Sequence, residues 1–255
     1  MKFSVALLST LAATATAVPS RRASRMSRLS GLRSKANGTM SALEDINESW
    51  AGAVVTGSSF TGVSATFTVP TPQKPTDGAQ QSAPYHIAST WIGMDGYDCS
   101  GGLWQAGVDG TIESSGTSWY AWYEWYPSNT VEIDLGNTKA GDVITIELTS
   151  SPSNYKSGTI VISNQTTGKS YSATVTDSQA LCGTSIEWIV EDLIVDGSDI
   201  GLANFGTVTF SGAKGTTSSG TVTPASAVYL DIADSNNYQL TQSSSTSDTV
   251  VIKYI

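Results

Sequence analysis

Ser118-Trp119-Tyr120-Ala121-Trp122-Tyr123-Glu124-Trp125-Tyr126-Pro127, SWYAWYEWYP, decides how the rest of the chain is read. Side chains of an extended strand alternate between its two faces. Trp119, Ala121, Tyr123 and Trp125 therefore share one face, aromatic and small, which suits a core. Tyr120, Trp122, Glu124 and Tyr126 share the other, a carboxylate framed by rings with polar tips, which suits a concave binding surface.

Runs of the same kind recur between Gly, Ser, Asn and Thr clusters: GVSATFTVP, DVITIELTS, GTIVISN, SYSATVT, GTVTFSG, AVYLDIA and TVVIKYI. Close spacing of short strands with turn signals predicts an all-β fold, an antiparallel β-sandwich or concanavalin-like jelly roll. Asn164 to Lys169, NQTTGK, reads as a hairpin turn, and Gly78 to Pro84, GAQQSAP, as a surface loop. Only Ser41 to Trp50, SALEDINESW, carries a faint helical periodicity.

The ends of this body are set by composition. Lys2, an apolar run from Phe3 to Ala13 and Ala15-Thr16-Ala17 read as a signal peptide over residues 1–17, so the protein is expected to be exported, extracellular and soluble, without a membrane span. Residues 18–46 form a basic segment holding every Arg of the chain, too poor in apolar residues to fold alone. The body follows as 47–255. The chain after Met40 holds six Lys (Lys74, Lys139, Lys156, Lys169, Lys214 and Lys253) against all 22 acids, a formal charge of 6 − 22 = −16. This split reads as a pro-segment lying against an acidic body, and it argues against nucleic acid as a partner. With few ion pairs to lose, such a body also suits acid. Cys99 and Cys182 are the only cysteines, and in an exported chain they are expected to form one disulfide. Sequons stand at Asn47 and Asn164 in the body and at Asn37 in the leader.

Much chemistry is excluded. His86 is the only histidine and no G-x-S-x-G elbow accompanies it, so a serine or cysteine triad has little to work with. The same scarcity leaves no zinc site, and there is no pepsin-type D-[ST]-G triplet or phosphate loop. No metal or cofactor is expected. Carboxylates, amides and aromatics remain.

Glu187-Trp188-Ile189-Val190-Glu191-Asp192, EWIVED, concentrates three acids in a run that otherwise reads as buried strand. Glu187, Ile189 and Glu191 share a face, while Trp188, Val190 and Asp192 share the other. The two glutamates lie about 13 Å apart along an extended strand, too far to form a glycosidase pair of roughly 5–10 Å. Any partner must come from another strand, and spacing alone does not choose the acid.

STWIGMDGYDC (89–99), LWQAGVDG (103–110), WYEWYP (122–127), EWIVED (187–192) and FGTVTF (205–210) occur in the order and approximate spacing of the glutamic peptidases, or eqolisins. NESWAGAVVTGSSFTGVSATFTVP (47–70) also resembles the start of their mature chain, so the resemblance spans the body. It implies a secreted, acid-active, pepstatin-insensitive endopeptidase on a β-sandwich, acting on polypeptides as a monomer, with the basic pro-segment as intramolecular inhibitor. Carried over by motif, the catalytic dyad is Gln105 and Glu191. Trp91, Asp95, Asp109, Trp122, Glu124 and Tyr126 are placed around the cleft, and Cys99 is linked to Cys182. Three positions depart from the pattern. Trp104 stands for a usual leucine and Ile186 for a common alanine. Tyr120 stands for a frequent Asp, which is expected to alter the hydrogen bonding around Glu124. Two other classes fit the residues alone: a jelly-roll glycosidase using Glu124 and Glu191, and a non-catalytic lectin-like module.

Overall fold

A computed structural model describes residues 44–75, 83, 85–195, 198–234 and 236–255. The signal peptide, the leader up to residue 43 and all but Ala83 of the expected Gly78–Pro84 loop lie outside the described residues.

With strands numbered along the chain, two eight-stranded sheets face each other. The first runs β1 (Glu44–Asn47), β16 (Val228–Ile232), β2 (Trp50–Thr56), β11 (Ser185–Glu191), β4 (His86–Met94), β5 (Leu103–Glu113), β6 (Gly116–Tyr126), β7 (Val131–Ile133). The second runs β10 (Lys169–Thr176), β9 (Ser157–Asn164), β8 (Val143–Ser150), β3 (Phe60–Thr68), β14 (Thr207–Thr217), β18 (Thr249–Tyr254), β17 (Thr241–Ser245), with β15 (Gly220–Val222) paired to β14. A short hairpin, β12 (Ile194–Val195) and β13 (Ser198–Asp199), follows β11. Pairing is antiparallel within both sheets except between β1 and β16, which run parallel. The β-sandwich reading is thus correct, and NQTTGK is the turn joining β9 to β10. Glu44–Asn47 is strand rather than helix, and the first sheet starts three residues ahead of the expected body boundary at 47.

The core lies between the sheets. β8 presents Ile144, Ile146 and Leu148 inward, and β9 adds Ile160 and Ile162. From the first sheet come Trp188 and Val190 of β11, Ala121 and Trp125 of β6, and Trp104 of β5. Each large apolar side chain so buried is worth roughly 1.5–3 kcal/mol. Two departures from the family pattern are absorbed here. Trp104 packs against Trp125 with ring centroids 5.2 Å apart, and its Nε1 donates to the Thr149 carbonyl at 3.2 Å. Ile186 lies over Gly215, where a Cβ would stand 2.1 Å from its Cδ1. The glycine makes room for the larger side chain.

Cys99 and Cys182 are bonded, closing a loop with a sequence separation of 83. In the chain-entropy account that constraint contributes about 4–5 kcal/mol. Neither sequon amide is free. Asn164 is fully buried, its Nδ2 donating to Asp142 at 2.7 Å and its Oδ1 accepting from the Thr166 and Thr167 amides. A glycan on that nitrogen is incompatible with this packing. The Asn47 side chain closes the turn into β2, accepting from the Ser49 and Trp50 amides and donating to the Trp50 carbonyl.

Candidate active site

The outer face of the first sheet carries the motif residues in three rows set by strand register. One row is Glu191, Ser89, Asp109, Tyr120. The next is Ile189, Trp91, Gly107, Trp122, and the third is Glu187, Gly93, Gln105, Glu124. Strands lie about 4.8 Å apart and rows about 6.7 Å. Glu191 and Gln105 therefore stand diagonally, two strands and two rows apart, with the Trp91–Gly107–Trp122 row between them. An apolar cluster of Trp50, Val54, Trp91, Leu103, Trp122, Ile189 and Leu230 fills this face, with Tyr97, Tyr120 and Tyr126 packed against it.

Each member of the expected dyad is oriented by a neighbour. Trp91 Nε1 donates to Glu191 Oε2 at 2.9 Å, and the Trp91 ring meets Trp50 edge-on at 5.0 Å. The ring can lie back along the sheet because Gly93 has no side chain: a Cβ there would stand 2.8 Å from Trp91 Cζ3. Gly107 also makes room for Trp91, since a Cβ there would stand 2.5 Å from Trp91 Cβ and 2.3 Å from the Thr90 carbonyl oxygen. Gln105 Nε2 donates to Glu124 Oε2 at 2.6 Å, and Thr130 Oγ1 donates to Glu124 Oε1 at 2.8 Å. With Glu124 accepting on both oxygens, the Gln105 amide is fixed with nitrogen toward Glu124 and one N–H to spare. Its Oε1 is buried without a partner. Gln105, Glu124 and Glu191 are 1–3% exposed, so these bonds form where water screens them little.

Asp109, fully buried, accepts from Trp122 Nε1 at 2.8 Å and from the Tyr120 hydroxyl. Tyr120 thus bonds to Asp109, two rows from Glu124, which corrects the expectation that it would change the bonding around Glu124 itself. Tyr126 is half-buried beside Leu103 at the edge of the same face. Asp95 does not join the group. At φ 68°, in the left-handed region that Asp tolerates better than most residues, it turns its carboxylate to the chain entering β11. It accepts from the backbone amides of Cys182, Gly183, Thr184 and Ser185 at 2.7–3.2 Å.

Sequence reasoning gave two groups here no role. Thr130 comes from the loop after Pro127 and had no motif to mark it. Glu187 is fully buried, and burial foremost, then the Asp95 charge, push its carboxyl well above the usual glutamate range; a bond from Ser185 opposes them, and the Asp98 charge adds the smallest push upward. Chemically the face offers one carboxylate held by an indole N–H, one amide held by a carboxylate, and an aromatic floor between them.

A model of the peptidase A4 family matches residues 48–254. The chain is 35% identical to aspergillopepsin-2 of Aspergillus niger, over 100% of each chain. It is 32% identical to scytalidopepsin B of Scytalidium lignicola, over 92% of this chain and 89% of the relative. A solved structure of scytalido-glutamic peptidase with a peptide-based transition-state analogue superposes at a TM-score of 0.70 with 30% identity, covering 82% of this chain and 99% of the other. Aspergilloglutamic peptidase from Aspergillus niger superposes at 0.62 with 36% identity, covering 67% and 99%.

Proposed function

We propose, from the premise that the chain belongs to the peptidase A4 family of glutamic peptidases, that it is an acid endopeptidase working with Glu191 and Gln105. Peptide-bond hydrolysis and polypeptide substrates follow from the family, which sets aside the glycosidase and lectin readings. The observation that carries the assignment of roles is the pair of bonds that fix the two groups, Trp91 to Glu191 and Gln105 to Glu124.

Glu191, ionised in mild acid, accepts a proton from a water whose oxygen attacks the scissile carbonyl carbon. It returns that proton to the departing amine as the C–N bond breaks. The spare N–H of Gln105 donates to the developing oxyanion, a contribution of about 3–4 kcal/mol where such donors are deleted elsewhere. An amide suits the task because it stays neutral and donating at any pH. The Trp91 indole holds one oxygen of Glu191 and so fixes how the carboxylate faces the cleft. Glu124, with Thr130 behind it, keeps the amide from turning over.

The same reading has the chain exported through residues 1–17, monomeric, and held inactive near neutrality by its arginine-rich leader. Separately made leader is expected to inhibit the processed enzyme at about pH 6, where carboxylates are ionised. Failure to inhibit removes that role. For the chemistry, the test is cleavage of a denatured protein below about pH 4 with pepstatin present. Wild type cleaves, and Gln105→Ala loses about 10²–10³ in kcat. A wild type that does not cleave, or an unaffected Gln105→Ala, overturns the assignment.

A further inference from the structure

We infer that Glu187 is a proton-held positioning residue: uncharged, it lets the cleft face and the turn entering β11 keep their places, and its ionisation releases them as pH rises. The link to activity rests on the peptidase reading, but the effect on the fold does not.

Glu187 has no exposed surface, and its Oε2 has no partner. Oε1 takes a single long bond from Ser185 Oγ at 3.3 Å. A carboxylate so placed lacks the hydrogen bonds that a buried charge requires, whereas a neutral carboxyl asks for far less. Among the described residues, the groups around it give it no counter-charge. On its own strand lie Ser185, Ile189 and, two rows away, Glu191. β2 offers Val54 and β4 offers Gly93, while β5 places the neutral Gln105 next in the row. Beyond the end of β4 stand Asp95 and Asp98, and these two charges act on it in the same sense as burial. Tyr155 lies on the far side of the turn, against Gly183, its own hydroxyl pushed upward by burial and by Asp95.

The Asp95 carboxylate is fixed where it stands, because four consecutive backbone amides, Cys182 to Ser185, donate to it. Thr184 Oγ1 also bonds to Asp98 at 2.7 Å. A second negative charge on Glu187 would push against this clamp from behind. The turn is held from its other side by the Cys99–Cys182 bond and by the Gly57 and Phe60 amides. It delivers the chain into the strand that carries Glu191. The other neighbour under stress is Trp91. Its ring lies over Gly93, beside Glu187 in the register, and its Nε1 holds Glu191. Water drawn in to solvate an ionised Glu187 would disturb that ring.

The sign is fixed by linkage. Glu187 keeps its proton in the folded chain above the glutamate value of 4.5 at which the unfolded chain releases it. Above that pH the folded state binds the extra proton, so stability is complete in acid and falls as pH rises, by up to about tenfold in the folding constant per pH unit.

The experiment is thermal unfolding of the full chain and of Glu187→Gln from about pH 3.5 to 8, together with residual hydrolysis after exposure to about pH 7. The two proteins are expected to melt together at the acid end. The gap should then open with pH in favour of the variant, which keeps more activity after neutral exposure. Parallel melting curves overturn the inference. If Glu187→Gln does not fold, Asp98→Asn, at an exposed position, substitutes for it. It should raise the melting temperature near pH 6–7 and not near 3.5, and an unchanged pH dependence overturns the inference equally. A gap in melting with no hydrolysis by either protein would fault the peptidase reading alone. Hydrolysis without a gap would fault this inference alone.

Discussion

Strands β8 and β9 of the second sheet alternate between buried and more exposed residues along their length, whereas β4 and β11 of the first are buried at every residue. The second sheet hides aliphatic side chains and turns Thr, Ser and Glu outward. The first buries apolar groups on its inner face and, on its outer face, Gln105, Asp109, Glu124, Glu187 and Glu191 among tryptophans. Burying such groups costs stability unless each finds a partner, and the partners are here: Trp91, Trp122, Tyr120 and Thr130 all donate into this face. One sheet therefore supplies stability, while the other spends part of it on a fixed chemical array. Among the described residues of this face, Glu187 Oε2 and Gln105 Oε1 are left without partners, and Glu187 is the one of the two that can carry a charge.

Substitutions on the two faces of β11 test the contrast most severely. Glu191→Gln, on the cleft face, is expected to lower kcat by roughly 10³-fold or more with little change in melting temperature. Trp188→Ala, on the core face, is expected to cost about 3–5 kcal/mol in urea unfolding while its folded fraction still turns over. If Glu191→Gln unfolds the chain or Trp188→Ala abolishes turnover while folded, the two faces are not separable. A finer probe is Gly93→Ala, whose methyl would meet Trp91 and turn the indole off Glu191. Steady-state kinetics should show kcat reduced by about tenfold, with stability changed by about 1–3 kcal/mol. The smallest effect belongs to the outer face of the second sheet. Val161→Thr on β9, at a position 42% exposed, should alter unfolding free energy by less than about 0.5 kcal/mol and leave hydrolysis unchanged.

Much of this was readable from the chain, and the reason is period two. Ala121 and Trp125 point into the core while Trp122 faces the cleft, as alternation in SWYAWYEWYP requires. The same holds for Trp188 and Ile189 in EWIVED. Alternation does not show whether an outer face is wet. That depends on how neighbouring strands crowd it, and the tryptophans that crowd it come from β2, β4 and β6, far apart in sequence. Asp95 was unreadable for a related reason. Its motif neighbourhood marks it for the cleft, but its left-handed backbone turns its carboxylate to amides some ninety positions later. Asn164 shows the same limit: a sequon is a local pattern, and the burial around it is tertiary.

The position of β11 between β2 and β4 also bears on time. In the chain, everything from β5 to β10 separates β11 from β4, yet in the sheet the two are neighbours. A growing polypeptide already contains Gln105 and Glu124 before the residues of β11 have been added, and a domain folds as a unit. The amide is then present without its base. The inward-facing side of β11 waits longer still, for β14, the later strand of the opposing sheet against which it packs. Proteolytic competence is in this way tied to completion of the chain, and a truncated product carries the parts of the site without the reaction.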